Sequence, residues 1–384
     1  MPDNVHSAYD LAQLQSLPLE AKIRMTKERI KAWYESWTRF EIYNKSTGKT
    51  RFATIDTREL GAEPPLKENE YIVSAEDGQV YVSFSGGKDS TVLNHIVDSM
   101  YDDVPSLFVN TGLEYPEIQR FAMSQKNAIA VRPEMRFDEV LKKYGYPVIS
   151  KEVSKKIQET KKCPNGYSSQ SFDPNSPKIQ KYGSRYDLTK WKYLFDAPFE
   201  VSAKCCDVMK KKPAKKYEKE TGRKPMIATM ASESRLRYTK WLQFGCNAFE
   251  QIRPTSQPLS FWTEQDILHY LQKYNVPFCT VYGDIVVDLE AELDGQLNMI
   301  DILGCYEPTD RLKTTGCSRT GCIFCMFGCH LEKEPNRFQR LKKTHPRQWE
   351  YCIGGGEMVD GKWQPNKEGL GLGYVLDYIG VKYD

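Results

Sequence analysis

A strand, a glycine turn and a helix near residue 85 constrain the fold more than any other part of this sequence. Val80, Val82 and Phe84 alternate with other residues as in a β-strand, and Gly86 and Gly87 follow closely. Apolar residues then recur at helical spacing. This pattern favours anion binding, because glycines allow a ligand to approach the backbone and a helix N-terminus presents free N–H groups.

The side chains of this turn also suit a nucleotide phosphate. Lys88 supplies positive charge, and Asp89 can hold Mg²⁺ or fix the loop. The spacing is not that of a Walker A loop. The segment instead resembles the PP-loop, Ser-Gly-Gly-x-Asp-Ser, of the ATP pyrophosphatases and the related phosphoadenosine phosphosulfate (PAPS) reductase family. The residues that this resemblance implies for ATP binding are Ser83, Ser85, Gly86, Gly87, Lys88, Asp89, Ser90 and Thr91.

The composition is that of a globular protein from a reducing compartment. The chain has 384 residues, of which 27% are charged and 40% are hydrophobic. No apolar run approaches the ~20 residues of a membrane span, and Met1 to Asn4 do not begin a signal peptide. We therefore expect a cytoplasmic protein without a membrane partner. In that compartment the 11 cysteines are expected to bind metal or to act in catalysis rather than to form disulfides.

The order of the predicted elements divides the chain into three regions. Residues 1–78 contain a helix from Leu19 to Trp37 and a small β insertion at residues 38–78 that includes a hairpin. Residues 79–280 alternate strands with helices, which predicts a doubly wound, mainly parallel α/β sheet. Residues 281–384 are expected to form a Cys-rich, metal-binding and helical region.

Further motifs extend the resemblance to the PAPS reductase family over most of residues 79–330. Asn110-Thr111-Gly112 is similar to an Asp-Thr-Gly that follows the second strand in the family, and Cys205-Cys206 begins a Cys-Cys-basic-Pro element. Ser232-Glu233-Ser234-Arg235 resembles a substrate-side Glu-Ser-x-x-Arg segment. The resemblance implies a fold of the adenine nucleotide alpha-hydrolase (HUP-like) type. The site residues that it implies are Asn110, Thr111, Gly112, Glu233 and Ser234 for nucleotide binding, and Lys88, Asp89 and Arg235 for catalysis. Arg235 and Arg237 are candidate anion contacts on the acceptor side.

Three departures from the family favour ATP over a sulfonucleotide. Reductases tend to have an eroded PP-loop, whereas this loop is intact. Their C-terminal Glu-Cys-Gly-[Ile/Leu]-His signature is absent from the last residues, 380–384. Met230 stands near the position of a substrate arginine in the family.

Two sets of cysteines compete as metal ligands. Cys322 and Cys325 have the spacing of a metal site. Resemblance to cluster-bearing sulfonucleotide reductases implies a [4Fe–4S] cluster on Cys205, Cys206, Cys322 and Cys325. Resemblance to the sulfur-activating enzyme of DNA phosphorothioation, with its similar Ser-Arg-x-Gly-Cys-x-x-Cys, implies the set Cys317, Cys322, Cys325 and Cys329. A structural Zn²⁺ in the second set is the alternative.

Lysines cluster at residues 151–162 and 204–219, although the net charge is only +3. Such runs are commonly solvated helix faces. They also suit a polyanion, because lysines neutralise the phosphates of RNA, DNA or a sulfonucleotide.

The combined pattern predicts an enzyme that cleaves ATP to AMP and pyrophosphate and so activates an acceptor for sulfur transfer. Its expected cofactors are ATP, Mg²⁺ and a [4Fe–4S] cluster. Its expected partners are tRNA or DNA as the acceptor, and a cysteine desulfurase or another sulfur donor. The alternatives are a sulfonucleotide (PAPS or APS) reductase that produces sulfite, and a nucleotide-binding, zinc-structured interaction protein without turnover.

Overall fold

The computed structural model describes residues 5–59, 61–288 and 311–384, and the chain forms two compact units. The first unit contains residues 1–109, 115–131 and 214–320, and the second contains residues 110–114, 132–213 and 321–384. Each unit therefore combines segments that are distant in sequence. The division into 1–78, 79–280 and 281–384 follows the order of the motifs and stays a prediction.

The first unit begins with two helices and a small antiparallel sheet. These elements are α1 (Ala8–Gln15), α2 (Leu19–Glu35), β1 (Trp37–Asn44), β2 (Lys49–Asp56) and β3 (Glu70–Glu76). The predicted hairpin is confirmed as β1 and β2, and Gly48 in its turn has a φ of +64°. Strand β3 pairs with the other edge of β1 and was not predicted. The register of this pairing shifts between Glu41 and Ile42, so Val73 is an extra residue on β3 and interrupts the alternation by which a strand is recognised.

Strands and helices alternate along the chain after residue 79. The strands are β4 (Val80–Phe84), β5 (Ser106–Val109), β6 (Ala128–Val131), β7 (Lys224–Met226), β8 (Asn247–Ala248), β9 (Thr255–Ser256), β10 (Ile285–Val287), β11 (Leu312–Thr314), β12 (Glu357–Val359) and β13 (Lys362–Gln364). The helices are α3 (Lys88–Asp98), α4 (Pro116–Met123), α5 (Phe137–Tyr144), α6 (Lys151–Lys162), α7 (Pro177–Tyr182), α8 (Lys212–Thr221), α9 (Arg235–Phe244), α10 (Glu264–Lys273), α11 (Arg337–Thr344), α12 (Pro346–Ile353) and α13 (Leu372–Tyr378).

A six-stranded sheet with the order β6-β5-β4-β7-β9-β8 forms the centre of the first unit. Neighbouring strands are parallel from β6 to β9, and β8 pairs antiparallel with β9. The predicted mainly parallel α/β fold is therefore confirmed. Strand β4, which leads into the glycine turn, lies inside this sheet between β5 and β7.

Apolar side chains cover both faces of the sheet, as a doubly wound fold requires. Val82 and Phe84 on β4 belong to a large cluster that also contains Leu93 of α3. Tyr81, which lies between them in sequence, belongs to a separate cluster with Tyr217 of α8. Successive strand residues point to opposite faces, so helices are needed on both sides of β4.

A buried ion pair connects α2 with α10. Lys22 Nζ lies 2.8 and 2.7 Å from the two carboxylate oxygens of Asp266. Asp266 also completes a capping box with Thr263, the N-cap residue of α10. A buried charge without its partner is costly, so this pair fixes α2 against the helix that follows the sheet.

Backbone hydrogen bonds attach the Cys-rich segment to two other parts of the second unit. The N–H of Ile323 donates to the carbonyl of Leu113 at 2.8 Å, and the N–H of Gly328 donates to the carbonyl of Ile149 at 2.8 Å. The segment of residues 321–329 is therefore held at both ends. Among the described residues, no helix combines the length and apolar character that a membrane crossing requires.

Candidate functional site

The glycine turn between β4 and α3 has a conformation that only glycine tolerates. Gly86 has a φ of +71°, and a Cβ there would lie 2.8 Å from Ile118 Cγ2 and 3.1 Å from the carbonyl oxygen of Ile118. Gly87 is the N-cap residue of α3 and supplies no side-chain cap. The N-cap residue therefore leaves the helix N-terminus without a side-chain cap, although the N–H of Gly87 donates to Ser85 Oγ at 3.3 Å.

Hydroxyl side chains hold this loop in place. Ser90 Oγ accepts the N–H of Ser85 at 3.2 Å and donates to the carbonyl of Gly87 at 2.9 Å. Thr91 Oγ1 donates to the same carbonyl at 3.0 Å. Ser83 is half-buried on β4. The loop is thus organised by its own side chains, which lowers the entropic cost of binding a phosphate.

Lys88 is the buried cation of the loop, and its residue is only 3% exposed. Its Nζ lies 3.0 Å from Glu264 Oε1, 3.3 Å from Asp89 Oδ1 and 3.2 Å from the carbonyl of Ser318. Burial by itself lowers the pKa of Lys88, but the carboxylates of Asp89 and Glu264 outweigh burial, and the pKa is raised. Lys88 is therefore charged at neutral pH.

A pair of arginines adds positive charge beside the loop. Both Arg237 and Arg319 donate to the carboxylate of Glu233, whose side chain is only 9% exposed. Ser234 caps α9 by accepting the N–H of Arg237 at 3.3 Å. Burial and the charge of Arg319 lower the pKa of Arg237, while the carboxylate of Asp89 opposes them. The shared carboxylate allows two guanidinium groups to stand together.

Residues 318–320 lie along the loop. The N–H of Lys88 donates to the hydroxyl of Tyr282 at 3.3 Å, and that hydroxyl lies 2.7 Å from Thr320 Oγ1. Ser318 contacts the Lys88 ammonium, and Arg319 pairs with Glu233. Three consecutive residues from the segment before Cys322 therefore contribute to the nucleotide site.

The structure also places beside the loop two residues that the sequence did not identify, Arg319 and Tyr282. Of the two candidate arginines of α9, Arg235 is exposed at the first position of the helix, whereas Arg237 contacts Glu233. The catalytic role of Arg235 stays a prediction. Arg319 stands in a recognised cysteine motif but had been given no role, and no local signal points to Tyr282.

The Asn110-Thr111-Gly112 turn belongs to the second unit. Thr111 Oγ1 donates to Glu114 at 2.8 Å, and the N–H of Gly112 donates to Asn110 Oδ1 at 3.2 Å. Gly112 has a φ of +74°. The turn is stabilised by its own side chains, and its contact with a nucleotide stays a prediction.

Four cysteines from two distant segments line one cavity of the second unit. The remaining lining is mostly apolar, and it also includes Lys210. Cys205 Sγ lies 3.9 Å from Cys206 Sγ. The cysteines of this cavity are Cys205, Cys206, Cys322 and Cys325.

The thiols of this cavity have strongly perturbed pKa values. The hydrogen bond from Cys205 lowers the pKa of Cys206 to about 6, with help from the charge of Lys151, and the same bond raises the pKa of Cys205. Burial raises the pKa of Cys322 to about 11 and also raises that of Cys325. Thiolates bind metals, so a cation in the cavity relieves the cost of their charge.

The other two candidate ligands lie elsewhere. Cys317 belongs to the first unit. Cys329 is buried in the second unit, and its thiol donates to the carbonyl of Met326 at 3.0 Å. Among the described residues, no three His, Cys, Asp or Glu side chains are arranged to hold a single metal ion.

The comparisons with known proteins agree with the fold and with the loop. The chain is similar to an uncharacterized protein of Methanocaldococcus jannaschii, with 35% identity over 142 residues. The match covers 36% of this chain and only 31% of that relative's length. Residues 79–326 match the phosphoadenosine phosphosulfate reductase domain, and this range contains the central sheet, the glycine loop and the cysteines of the cavity. Because the match covers more than half of the sequence, the chain belongs to the phosphoadenosine phosphosulfate reductase family.

Proposed function

We propose that this protein binds ATP at residues 85–91, cleaves it to AMP and pyrophosphate, and thereby activates an acceptor for sulfur transfer. Membership of the family supports nucleotide binding with PP-loop-type chemistry. The observation that carries the proposal is the concentration of cations at an intact loop. Buried Lys88 lies in the loop, and Arg237 and Arg319 share Glu233 beside it.

In this mechanism an acceptor oxygen attacks the α-phosphorus of ATP. The bond from that phosphorus to its bridging oxygen breaks, and pyrophosphate leaves with the electron pair. The acceptor then carries AMP, which leaves when a sulfur nucleophile from the donor displaces it. Lys88 and the loop N–H groups stabilise the negative charge that develops on the leaving pyrophosphate. The arginines neutralise the phosphates without a proton transfer, since guanidinium groups stay charged.

Asp89 is the residue that suits Mg²⁺. Its Oδ1 is buried and accepts no hydrogen bond within the part of the chain that the structure describes, although it lies 3.3 Å from Lys88 Nζ. Carboxylate oxygens are preferred ligands of Mg²⁺. The ion would neutralise phosphate charge when bound.

The four thiols of the cysteine cavity are the ligands that we propose for a cluster. They come from two chain segments and line one space. Cys205, Cys206, Cys322 and Cys325 would hold a [4Fe–4S] cluster, which would hold or deliver the transferred sulfur. Similarity to the DNA phosphorothioation enzyme, and with it the second ligand set, stays a prediction.

Sulfonucleotide reduction is the second candidate function. The same four cysteines form the ligand set that resemblance to cluster-bearing reductases implies, and they line one cavity. Such an enzyme would form sulfite from PAPS or APS with an external thiol donor. A protein that binds nucleotide without turnover is the third candidate.

Pyrophosphate release from ATP tests these candidates. With total tRNA or DNA as the acceptor and a cysteine desulfurase with cysteine as the sulfur donor, anaerobically purified protein is expected to release pyrophosphate and AMP in equal amounts. Asp89→Ala is expected to abolish release, because it removes the proposed ligand of Mg²⁺. Arg235→Ala tests the predicted role of that exposed residue in the same assay.

Sulfite from PAPS or APS in the absence of ATP would favour the reductase, and binding of a non-hydrolysable ATP analogue without turnover would favour the third candidate.

Arg319→Ala is expected to weaken ATP binding about tenfold. A charge-assisted hydrogen bond contributes about 1.5–3 kcal/mol, and part of the lost charge is replaced by Arg237. Isothermal titration with a non-hydrolysable analogue measures the effect. Lys240→Ala, which removes one exposed charge from the last part of α9, is the matched control. Equal affinities for Arg319→Ala and the control would show that Arg319 serves only to pair Glu233.

A further inference from the structure

The segment of residues 151–192 in the second unit concentrates positive charge. It contains ten lysines and arginines against four aspartates and glutamates, a net charge of +6 in a chain whose total is +3. The remainder of the chain is therefore slightly acidic. This concentration of positive charge would attract a polyanion to the segment.

Tyrosines are exposed among these charges. Tyr167 is 63% exposed and Tyr182 is 50% exposed, while Tyr186 is half-buried. The rings of Tyr182 and Tyr186 lie 5.7 Å apart between centroids. Exposed aromatic rings grouped among cations are suited to stacking on a ligand, so this group is a candidate binding surface.

Cations lie over these rings and connect them. Lys178 Nζ is 4.0 Å from the ring centre of Tyr167, and Lys181 Nζ is 5.2 Å from that of Tyr182. Lys156 approaches Tyr186 at 5.8 Å and also lowers the pKa of Lys178, after the larger effect of burial. These contacts connect Tyr167 with Tyr186 through Lys178, which is itself buried, and Lys156. We call the group the basic aromatic surface, and its residues are Lys156, Tyr167, Lys181, Tyr182 and Tyr186.

A packed scaffold supports this surface. Phe172 and Leu188 are buried beneath it, and the rings of Phe172 and Phe195 lie 4.8 Å apart. The N–H of Leu188 donates to the carbonyl of Ser171 at 2.7 Å, and Lys178 Nζ donates to Ser171 Oγ at 2.9 Å. The side chains are therefore presented by a fixed backbone, which reduces the entropic cost of binding.

We propose that the basic aromatic surface binds a single-stranded stretch of nucleic acid. Lysines neutralise backbone phosphates, and tyrosine rings stack on bases, whatever their sequence. A duplex keeps its bases stacked on one another and leaves exposed rings unused. An acidic peptide would use the lysines alone. The inference deepens the proposed function by identifying the class of acceptor, but the binding itself does not depend on ATP cleavage.

Fluorescence anisotropy with labelled oligonucleotides of about 15 nucleotides tests the surface without ATP. Single-stranded RNA or DNA is expected to bind more tightly than a duplex of the same sequence, and the two single strands together show which sugar is preferred. Tyr182→Ala with Tyr186→Ala is expected to weaken binding at least tenfold while leaving the salt dependence unchanged. Lys181→Ala, which removes an exposed cation, is expected to lower the slope of log K against log salt by about 0.7.

Lys142→Ala with Lys143→Ala is the matched control, because both residues are exposed on α5 of the same unit. Equal loss in this control, tighter binding of the duplex, or equal competition by polyglutamate would overturn the proposal, as would binding to anionic vesicles alone. Asp89→Ala protein is expected to bind the oligonucleotide as the wild type does while it releases no pyrophosphate, so the two proposals are tested separately. Oligonucleotide binding without pyrophosphate release in the wild type would contradict only the proposed function, whereas release without oligonucleotide binding would contradict only this inference.

Discussion

Replacing Lys88 by methionine is expected to reduce pyrophosphate release from ATP by about 100- to 1000-fold, the usual effect of removing a preorganised charge from a site of charge development. Methionine keeps most of the apolar length of the side chain and removes only the ammonium group. That group is buried and already positioned by Asp89 and Glu264, so no water replaces it easily. Initial rates at saturating ATP measure the loss.

Glu264→Gln is the matched control for Lys88→Met. Glu264 contacts the same ammonium at 3.0 Å, but its side chain is 52% exposed and can be replaced by water. We expect its removal to change the rate by less than about tenfold, because surface ion pairs contribute little. Similar thermal unfolding of both variants would show intact folding. A Lys88→Met enzyme as active as the control would contradict the assignment of Lys88 to the leaving group.

The nucleotide loop could be predicted because its determinants are local. The alternation in β4, the two glycines and the apolar spacing of α3 occur within about twenty residues. The mainly parallel sheet could be predicted for the same reason, since each of its strands and helices has its own local pattern of apolar residues. Thr263 could be identified as a helix cap from its position before an acidic turn.

The arginine pair could not be predicted because it depends on tertiary structure. Glu233 and Arg319 are 86 residues apart, and nothing near either residue indicates the other. Tyr282 similarly meets Lys88 across 194 residues. Local patterns identify elements, but the side chains that approach from distant segments depend on how those elements pack.

The grouping of the cysteines also depends on tertiary structure and could not be predicted from local sequence. The sequence left two ligand sets open, Cys205, Cys206, Cys322 and Cys325 or Cys317, Cys322, Cys325 and Cys329. In the structure Cys322 and Cys325 line a cavity with Cys205 and Cys206, more than a hundred residues earlier in sequence. Cys322 and Cys325 belong to both ligand sets. The two sets can therefore be distinguished only by Cys205 and Cys206 in one and by Cys317 and Cys329 in the other.

Changing Cys206 to serine is therefore expected to remove the cluster, while Cys317→Ser is expected to retain it. Anaerobically purified wild-type protein should be brown and contain about four iron and four sulfide ions per chain. Serine is a poor ligand for such a cluster, so Cys206→Ser should lose the visible absorption and most of the iron. Both quantities are measured on the same sample.

Cys329→Ser completes the comparison, because its thiol donates to a carbonyl within the second unit and does not line the cavity. Its serine hydroxyl can make the same hydrogen bond, so iron should be retained even if the protein unfolds at a lower temperature. Iron loss in Cys317→Ser and Cys329→Ser, with retention in Cys206→Ser, would instead assign the ligands by sequence spacing. Colourless wild-type protein with one zinc ion would contradict a cluster at either set. The cavity geometry favours the first outcome, because the paired thiols of Cys205 and Cys206 already face the same space as Cys322 and Cys325.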